Sequence, residues 1–253
     1  MDMCLTDKVV IITGAASGIG LAIARAALQE GVGAVIATDR DADGLAKSGF
    51  TPDQTVIADL TDPHAPAQIV QAALARHGRV DCLVNAAGLT TRASMTNGTA
   101  DVWDQLFNVN AKAGYFLMQA VIRDLQARNA PGSIVNILSM NAHCGIPDLA
   151  IYSATKAAMA TLTKNAARAH MADRIRVNGI NLGWVPTETE RHMQSVTLGR
   201  GAGWEAAESA KLPLGRLIQA DEAARLAIFL LGAASNPMSG SVIDFEQKVA
   251  GAI

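Results

Sequence analysis

Val9-Val10-Ile11-Ile12-Thr13-Gly14-Ala15-Ala16-Ser17-Gly18-Ile19-Gly20-Leu21 is the stretch that decides the fold. Its first five residues form a short run rich in β-branched side chains, which reads as a buried strand. Apolar residues then recur at helical period from Gly18 to Glu30. Between the two lies a turn with glycine at 14, 18 and 20. A helix starting on such a turn presents unpaired N–H groups and the positive end of its dipole, and glycines let backbone pass close to an anion. That suits a pyrophosphate. No Lys-Ser/Thr pair follows Gly20, so a loop for nucleotide hydrolysis is not supported. Glycines also make ordinary tight turns, and it is the strand–turn–helix setting that carries the reading.

The same alternation continues outward. Strands are expected at Val9–Thr13, Ala34–Thr38, Thr55–Ala58, Cys82–Asn85, Ser133–Leu138, Arg174–Ile180 and Ser241–Phe245. Helices are expected at Gly18–Glu30, Ala65–His77, Ala100–Arg128, Ile151–Met171 and Asp221–Leu231. Short Val/Ile-rich strands spaced by helices imply an α/β, Rossmann-type doubly wound sandwich, with a seven-stranded parallel sheet and helices on both faces. No linker or repeat divides the chain, so residues 1–253 are expected to form one domain. Two stretches break the rhythm. Asp41–Gln54 has room only for a short helix, and Pro186–Arg216, rich in glycine and charge, reads as a lid over a site at the strand ends.

The 253 residues are 50% hydrophobic with a formal net charge of -2, which gives no electrostatic footprint for nucleic acid or an anionic membrane. Arg174 and Arg176 read as solvated charge. No apolar run is long enough for a membrane span, and no secretory leader is visible at the N-terminus. Cys4, Cys82 and Cys144 lack metal-ligand spacing, so no metal site is expected and the thiols read as buried or incidental. A cytoplasmic protein is the expectation.

The second strand leads to Asp39, nineteen residues after Gly20. A carboxylate there accepts hydrogen bonds from both hydroxyls of an adenosine ribose and repels a 2′-phosphate, which favours NAD over NADP. Arg40, next in the chain, works against that preference; the other reading of Asp39 is a helix N-cap or turn residue, a role open to Asp41 instead. Farther on, Tyr152 and Lys156 stand four residues apart on a helix with no internal Gly or Pro, so they share a face. A cation beside a phenol favours the phenolate and makes it a usable base. Ser139, thirteen residues before Tyr152, falls at a strand end and is expected to hydrogen-bond the same substrate oxygen.

Taken together these residues resemble the short-chain dehydrogenase/reductase family in its shorter, classical form, over about Lys8 to Phe245. The motifs carrying the resemblance are Thr13–Gly20, Asp59-Leu60, Asn85-Ala86-Ala87-Gly88, Asn110, Ser139, and Tyr152 with Lys156. The resemblance implies that Thr13, Gly14, Ser17, Gly18, Ile19 and Gly20 cradle the dinucleotide. Asp59 and Leu60 would contact adenine, Asn85 to Gly88 would line the cofactor and steady the sheet, and Val185 and Thr187 would hold the carboxamide. Lys156 would bind the nicotinamide ribose, and Asn110 would kink its helix and hold a water in a proton relay. A homotetramer is also implied, in keeping with apolar residues on more than one stripe of the two long helices. Three positions depart from the family pattern. Ala86 replaces a second Asn, Leu182 replaces a Pro before Gly183, and Asp244-Phe245-Glu246 replaces Asp-Gly-Gly, leaving a tail that ends in Gly251-Ala252-Ile253 and is expected at a subunit interface or a neighbour's site.

The expected reaction is hydride transfer between nicotinamide and a small alcohol or ketone. Polar residues dominate the segments expected to form the pocket: Thr90-Thr91-Arg92, Asn141, His143, and Glu188, Glu190, Arg191 and His192 of the lid. Trp184 would wall the pocket or anchor the lid. Sites that hydrogen-bond hydroxyls discriminate strongly, so a polyol, sugar or sugar acid is favoured, with Arg92 a carboxylate partner. A 3-oxoacyl thioester reductase using NADPH and a non-catalytic nucleotide-binding protein are the alternatives.

Overall fold

The computed structural model describes residues 5–250, so Cys4 and the Gly251–Ile253 tail lie outside the described residues. Seven parallel strands run in the order β3-β2-β1-β4-β5-β6-β7. They are β1 (Val9–Thr13), β2 (Ala34–Asp39), β3 (Thr55–Ile57), β4 (Cys82–Asn85), β5 (Gly132–Ile137), β6 (Ile175–Leu182) and β7 (Val242–Phe245). The order reverses between β1 and β4, so the helices after these strands leave to opposite faces and a crevice opens at the strands' C-terminal ends.

Alternation along each strand supplies both cores. Val10 and Ile12 of β1 and Val35 of β2 face α1 (Gly18–Gln29) and α9 (Ala220–Leu231), whose Ala24, Ala27, Ala223, Ala224 and Ala227 allow close approach. Ile11, Ile36, Leu83 and Ile134 face the other way, toward α3 (Ala65–His77), α5 (Ala113–Ala127) and α6 (Ala150–His170). Helix α3 carries Pro66 in its first turn and ends on Gly78 at φ 71°, a left-handed cap that favours glycine. The short helix expected within Asp41–Gln54 is α2 (Ala42–Lys47).

Two expectations need correction. The helix expected over Ala100–Arg128 is not continuous. It runs as α4 (Ala100–Phe107), a π-helical turn at Asn108–Lys112, and α5, and the distortion is centred on Asn110, as the resemblance implied. Arg176 is not solvated charge. Its guanidinium is buried and donates to the carbonyls of Leu230 (3.0 Å), Leu231 (3.1 Å) and Gly232 (3.0 Å) and to the Ser235 hydroxyl (2.7 Å). A forked cation thus caps the C-terminal end of α9, where orphan carbonyls and the negative end of the dipole meet it. Arg174 does stay exposed. Arg176→Met is expected to destabilise the fold by about 3 kcal/mol in urea denaturation, because it strands buried carbonyls. Arg176→Lys recovers only part, since an ammonium cannot fork. No helix among the described residues is long and apolar enough to cross a membrane.

Candidate active site

One cleft of about 960 Å³ lies over the C-terminal ends of the strands. At one end is the glycine turn. Gly14 (φ +69°) lies where a Cβ would sit 2.9 Å from the Ala87 backbone, and a Cβ on Gly20 would reach within 2.2 Å of the Gly14 carbonyl. Only glycine fits this cradle. The Thr13 hydroxyl accepts from the N–H groups of Ala86 and Ala87, each at 3.0 Å, and so ties the end of β1 to the loop after β4. Ser17 stands at the N-cap of α1 without a side-chain cap bond, and the first turn carries no acidic residue. Its hydroxyl and the free N–H groups are available to an anion. The cradle fits a dinucleotide pyrophosphate.

Asp39 lines the same end. Its carboxylate accepts from Ala16 N and Asp41 N, both at 3.1 Å, which leaves lone pairs for a diol. Asp41, not Asp39, caps α2, accepting from Gly44 N at 2.9 Å. Asp59 and Leu60 border Asp39 across the tip of β3. The Thr61 N–H and hydroxyl, with Arg40 nearby, hold the Asp59 carboxyl below its ordinary range.

Toward the other end, Ser139 follows β5, and Tyr152 and Lys156 occupy the first two turns of α6; all three line the cleft. Ser139 Oγ accepts from Asn141 N at 3.2 Å. Lys156 Nζ donates to the Ile137 carbonyl at 2.9 Å and lies 5.7 Å from the centre of the Tyr152 ring. Two of its three N–H groups remain for a ligand. Burial dominates the electrostatics. It pushes the Tyr152 phenol up to about 12, the Ser139 hydroxyl opposing and the Glu190 carboxylate adding to the rise. It pushes the Lys156 ammonium down to about 8. Burial sets the direction for the tyrosine in the protein alone, and Lys156 is not among the groups that shift it.

Asn110 stands behind this group rather than in the cleft. Its amide accepts from Leu89 N (2.8 Å) and donates to Leu89 O (2.9 Å) and Thr155 Oγ1 (3.1 Å). Thr155 in turn donates to the Tyr152 carbonyl at 2.7 Å. The π-helical turn thus braces both the loop after β4 and the helix carrying Tyr152. Asn85 also lies beneath the cleft instead of lining it, with its amide donating to Asn136 Oδ1 at 2.8 Å in the central sheet. Every other residue expected at the cofactor, from Thr13 to Ala86, Ala87, Gly88, Val185 and Thr187, lines the cleft.

Of the expected substrate residues, Arg92, Asn141 and Trp184 line the cleft and His143 does not. His143 Nε2 sits 2.8 Å from Asp244 Oδ1, joining the loop after Ser139 to β7. Asp244 keeps the Asp of the family pattern, and the 101 residues between the partners hid the pairing. The segment 186–216 contains α7 (Glu188–His192), a π-helical turn at Met193–Thr197 and α8 (Trp204–Ser209). Trp184 packs on the buried Trp204 with ring centres 5.2 Å apart and donates to Glu190 at 2.8 Å. Gln194 donates to the same carboxylate oxygen at 2.7 Å and accepts from Arg200 at 2.9 Å, and Arg200 also pairs with Glu208. Gln194, Arg200, Glu208 and Glu246 line the cleft and were not singled out from sequence. For Glu246 the family departure was the available signal, and its carboxylate fills the space over Gly183, 2.2 Å from where a Cβ would stand. For the others only the fold brings them in. Among the described residues no cluster of His, Cys, Asp and Glu is arranged to hold a metal.

Comparison with known proteins gives the relatives of this arrangement. Residues 8–196 match the family model for short chain dehydrogenases. The chain is 34% identical to gluconate 5-dehydrogenase of Gluconobacter oxydans, over 92% of this chain and 91% of that one. It is 32% identical to a 3-oxoacyl-[acyl-carrier-protein] reductase of Thermotoga maritima, over 96% and 98%. Among solved structures, L-sorbose reductase from Gluconobacter frateurii, complexed with NADPH and L-sorbose, superposes with a TM-score of 0.91 at 26% identity over the whole of both chains.

Proposed function

Because the chain belongs to the short-chain dehydrogenase family, we propose that it is an NAD-preferring oxidoreductase interconverting a secondary alcohol and a ketone on a polyol, sugar or sugar acid. One observation carries the reading: Ser139, Tyr152 and Lys156 open into the same cleft as Asp39 and the glycine cradle. Bound nicotinamide supplies or accepts the hydride. The chain's residues do the rest. Ser139 Oγ holds the substrate oxygen, and Tyr152 removes the hydroxyl proton in oxidation and returns it in reduction. Lys156 offers its free N–H groups to a ribose and its charge to the phenolate. Residues 186–216 act as the lid, with the Trp184–Glu190–Gln194–Arg200 chain holding it over the substrate. The protein works as a cytoplasmic homotetramer, with Trp103, Tyr115 and Phe116, all large and exposed on α4 and α5, at subunit contacts.

The preference for NAD rests on Asp39, whose carboxylate repels a 2′-phosphate. Asp39→Ser is expected to move the ratio of kcat/KM for NAD over NADP toward NADP by about a hundredfold, roughly 3 kcal/mol. A wild-type enzyme favouring NADP would show that Arg40 decides instead. The Thermotoga relative supports a second reading, a 3-oxoacyl thioester reductase using NADPH. Initial rates across polyols, sugars, sugar acids and 3-oxoacyl thioesters with both dinucleotides separate the two. Turnover confined to thioesters overturns the first, and turnover of none overturns both in favour of a non-catalytic nucleotide-binding protein.

A further inference from the structure

Arg92 stands on the substrate side of the cleft, and its Nε is buried without a hydrogen-bond partner. Among the described residues its guanidinium forms no ion pair. Of the other cleft cations, Arg200 pairs with Glu208 and Gln194, and Lys156, held by the Ile137 carbonyl, has its remaining N–H groups assigned to the nicotinamide ribose on the proposed reading. Arg40 belongs to the adenosine end beside Asp39 and Asp59. Arg92 is therefore the uncommitted cation where substrate must sit. A partly buried guanidinium with an orphaned donor is unfavourable alone and satisfied best by a planar anion gripped in two hydrogen bonds.

Its position is tied to the reacting end. Ala93 N donates to Asp148 O at 2.8 Å, and Ala150 N donates to Ala93 O at 2.9 Å. This two-bond bridge clamps the Arg92 loop to the start of α6, two residues before Tyr152. A group held by Arg92 thus keeps a fixed relation to the phenol, which is what orienting a substrate requires. Asn141 lines the same region, and its side-chain Nδ2 has no partner among the described residues. Against these donors stand the carboxylates of Asp148 and Glu190, also in the cleft. They suit hydroxyl groups and disfavour a dianion. On the proposed polyhydroxy-alcohol reading, we infer that Arg92 grips the carboxylate of a monoanionic sugar acid, so that the substrate is an aldonic acid or its keto form rather than a neutral polyol or a sugar phosphate.

The test compares molecules of one carbon skeleton, an aldonic acid, its alditol and its alditol phosphate, at saturating NAD. The acid is expected to exceed the alditol in kcat/KM by about a hundredfold, in line with loss of one buried partner of a charged pair. Arg92→Met removes that advantage chiefly through KM. Arg92→Lys restores part of it, which a mere folding defect would not allow. Calorimetric titration of the aldonate into wild-type and Arg92→Met enzyme loaded with reduced dinucleotide reads the same loss as a weaker Kd, without turnover. Equal or better use of the alditol, with Arg92→Met unaffected, overturns the assignment and leaves the polyhydroxy reading standing. Preference for the phosphate overturns the carboxylate. Turnover of none of the three, with no aldonate binding, overturns both.

Discussion

Tyr152→Phe is expected to lower kcat for alcohol oxidation by about a thousandfold while the dissociation constant for NAD stays within about threefold. The phenol is buried on the third residue of α6, its backbone held by Thr155, so removing one oxygen leaves the ring's packing intact. What is lost is the proposed proton acceptor beside Ser139. The pH profile gives the sharper test. With the phenol pushed up to about 12 in the protein alone, the neutral form prevails at pH 7. Oxidation needs the phenolate, so its rate should climb with pH up to an apparent pKa that the ligands set. Reduction uses the neutral phenol and should be flat below that value. The Phe variant should lose the climb. Near-wild-type turnover in Tyr152→Phe, or an oxidation rate flat from pH 6 to 9 in the wild type, would sink the proton-transfer role.

The parts legible in the sequence are those encoded by short-range pattern. The Val9–Thr13 run, the glycine turn and the 3.6-residue period after it depend on residues within one element and its neighbour, and β1 and α1 form where the pattern puts them. Asp39, Ser139, Tyr152 and Lys156 converge because each sits at the C-terminal end of a parallel strand or the helix start beside it, and sheet order alone gathers such ends. What could not be read depends on contacts across long separations. Arg176 looks like surface charge in an alternating strand until α9 arrives, 54 residues on, with its bare carbonyls. His143 looks like a pocket residue until β7 offers Asp244 from 101 residues away. The helix from Ala100 shows no Gly or Pro to break it within Ala100–Ala113, since the π turn follows from Asn110 reaching back to Leu89 rather than from propensity. Electrostatics were least legible. Spacing reveals that Tyr152 and Lys156 are neighbours, but the sign of their shifts depends on how much water the fold removes.

That dependence makes Lys156→Met a test with two opposite signs. Activity should fall by about a hundredfold or more, because the ribose loses its ammonium and the phenolate its cation. The protein without ligand should become more stable. Burial lowers the Lys156 ammonium from 10.5 to about 8, which corresponds to a destabilisation of about 3 kcal/mol wherever the group is charged in both states. Methionine keeps most of the stem's volume and removes the charge, while the Ile137 carbonyl loses a donor at about 1 kcal/mol. The net gain at pH 7 is about 2 kcal/mol by urea denaturation. The sign with pH follows from linkage. Between about 8 and 10.5 the unfolded lysine binds a proton that the folded one has released, so wild-type stability from this group rises across that window and the variant's advantage shrinks. Tyr152 acts oppositely from 10 to about 12, where the unfolded phenol ionises first, but it does so in both proteins and cancels in the difference. Saturating NAD should reverse the order at pH 7, since only the wild type offers the ribose its partner. A variant no more stable than wild type at pH 7, or a gap constant from pH 7 to 10, would show that the fold solvates Lys156 after all. A buried ammonium with one protein hydrogen bond is best explained by the ligand that completes it.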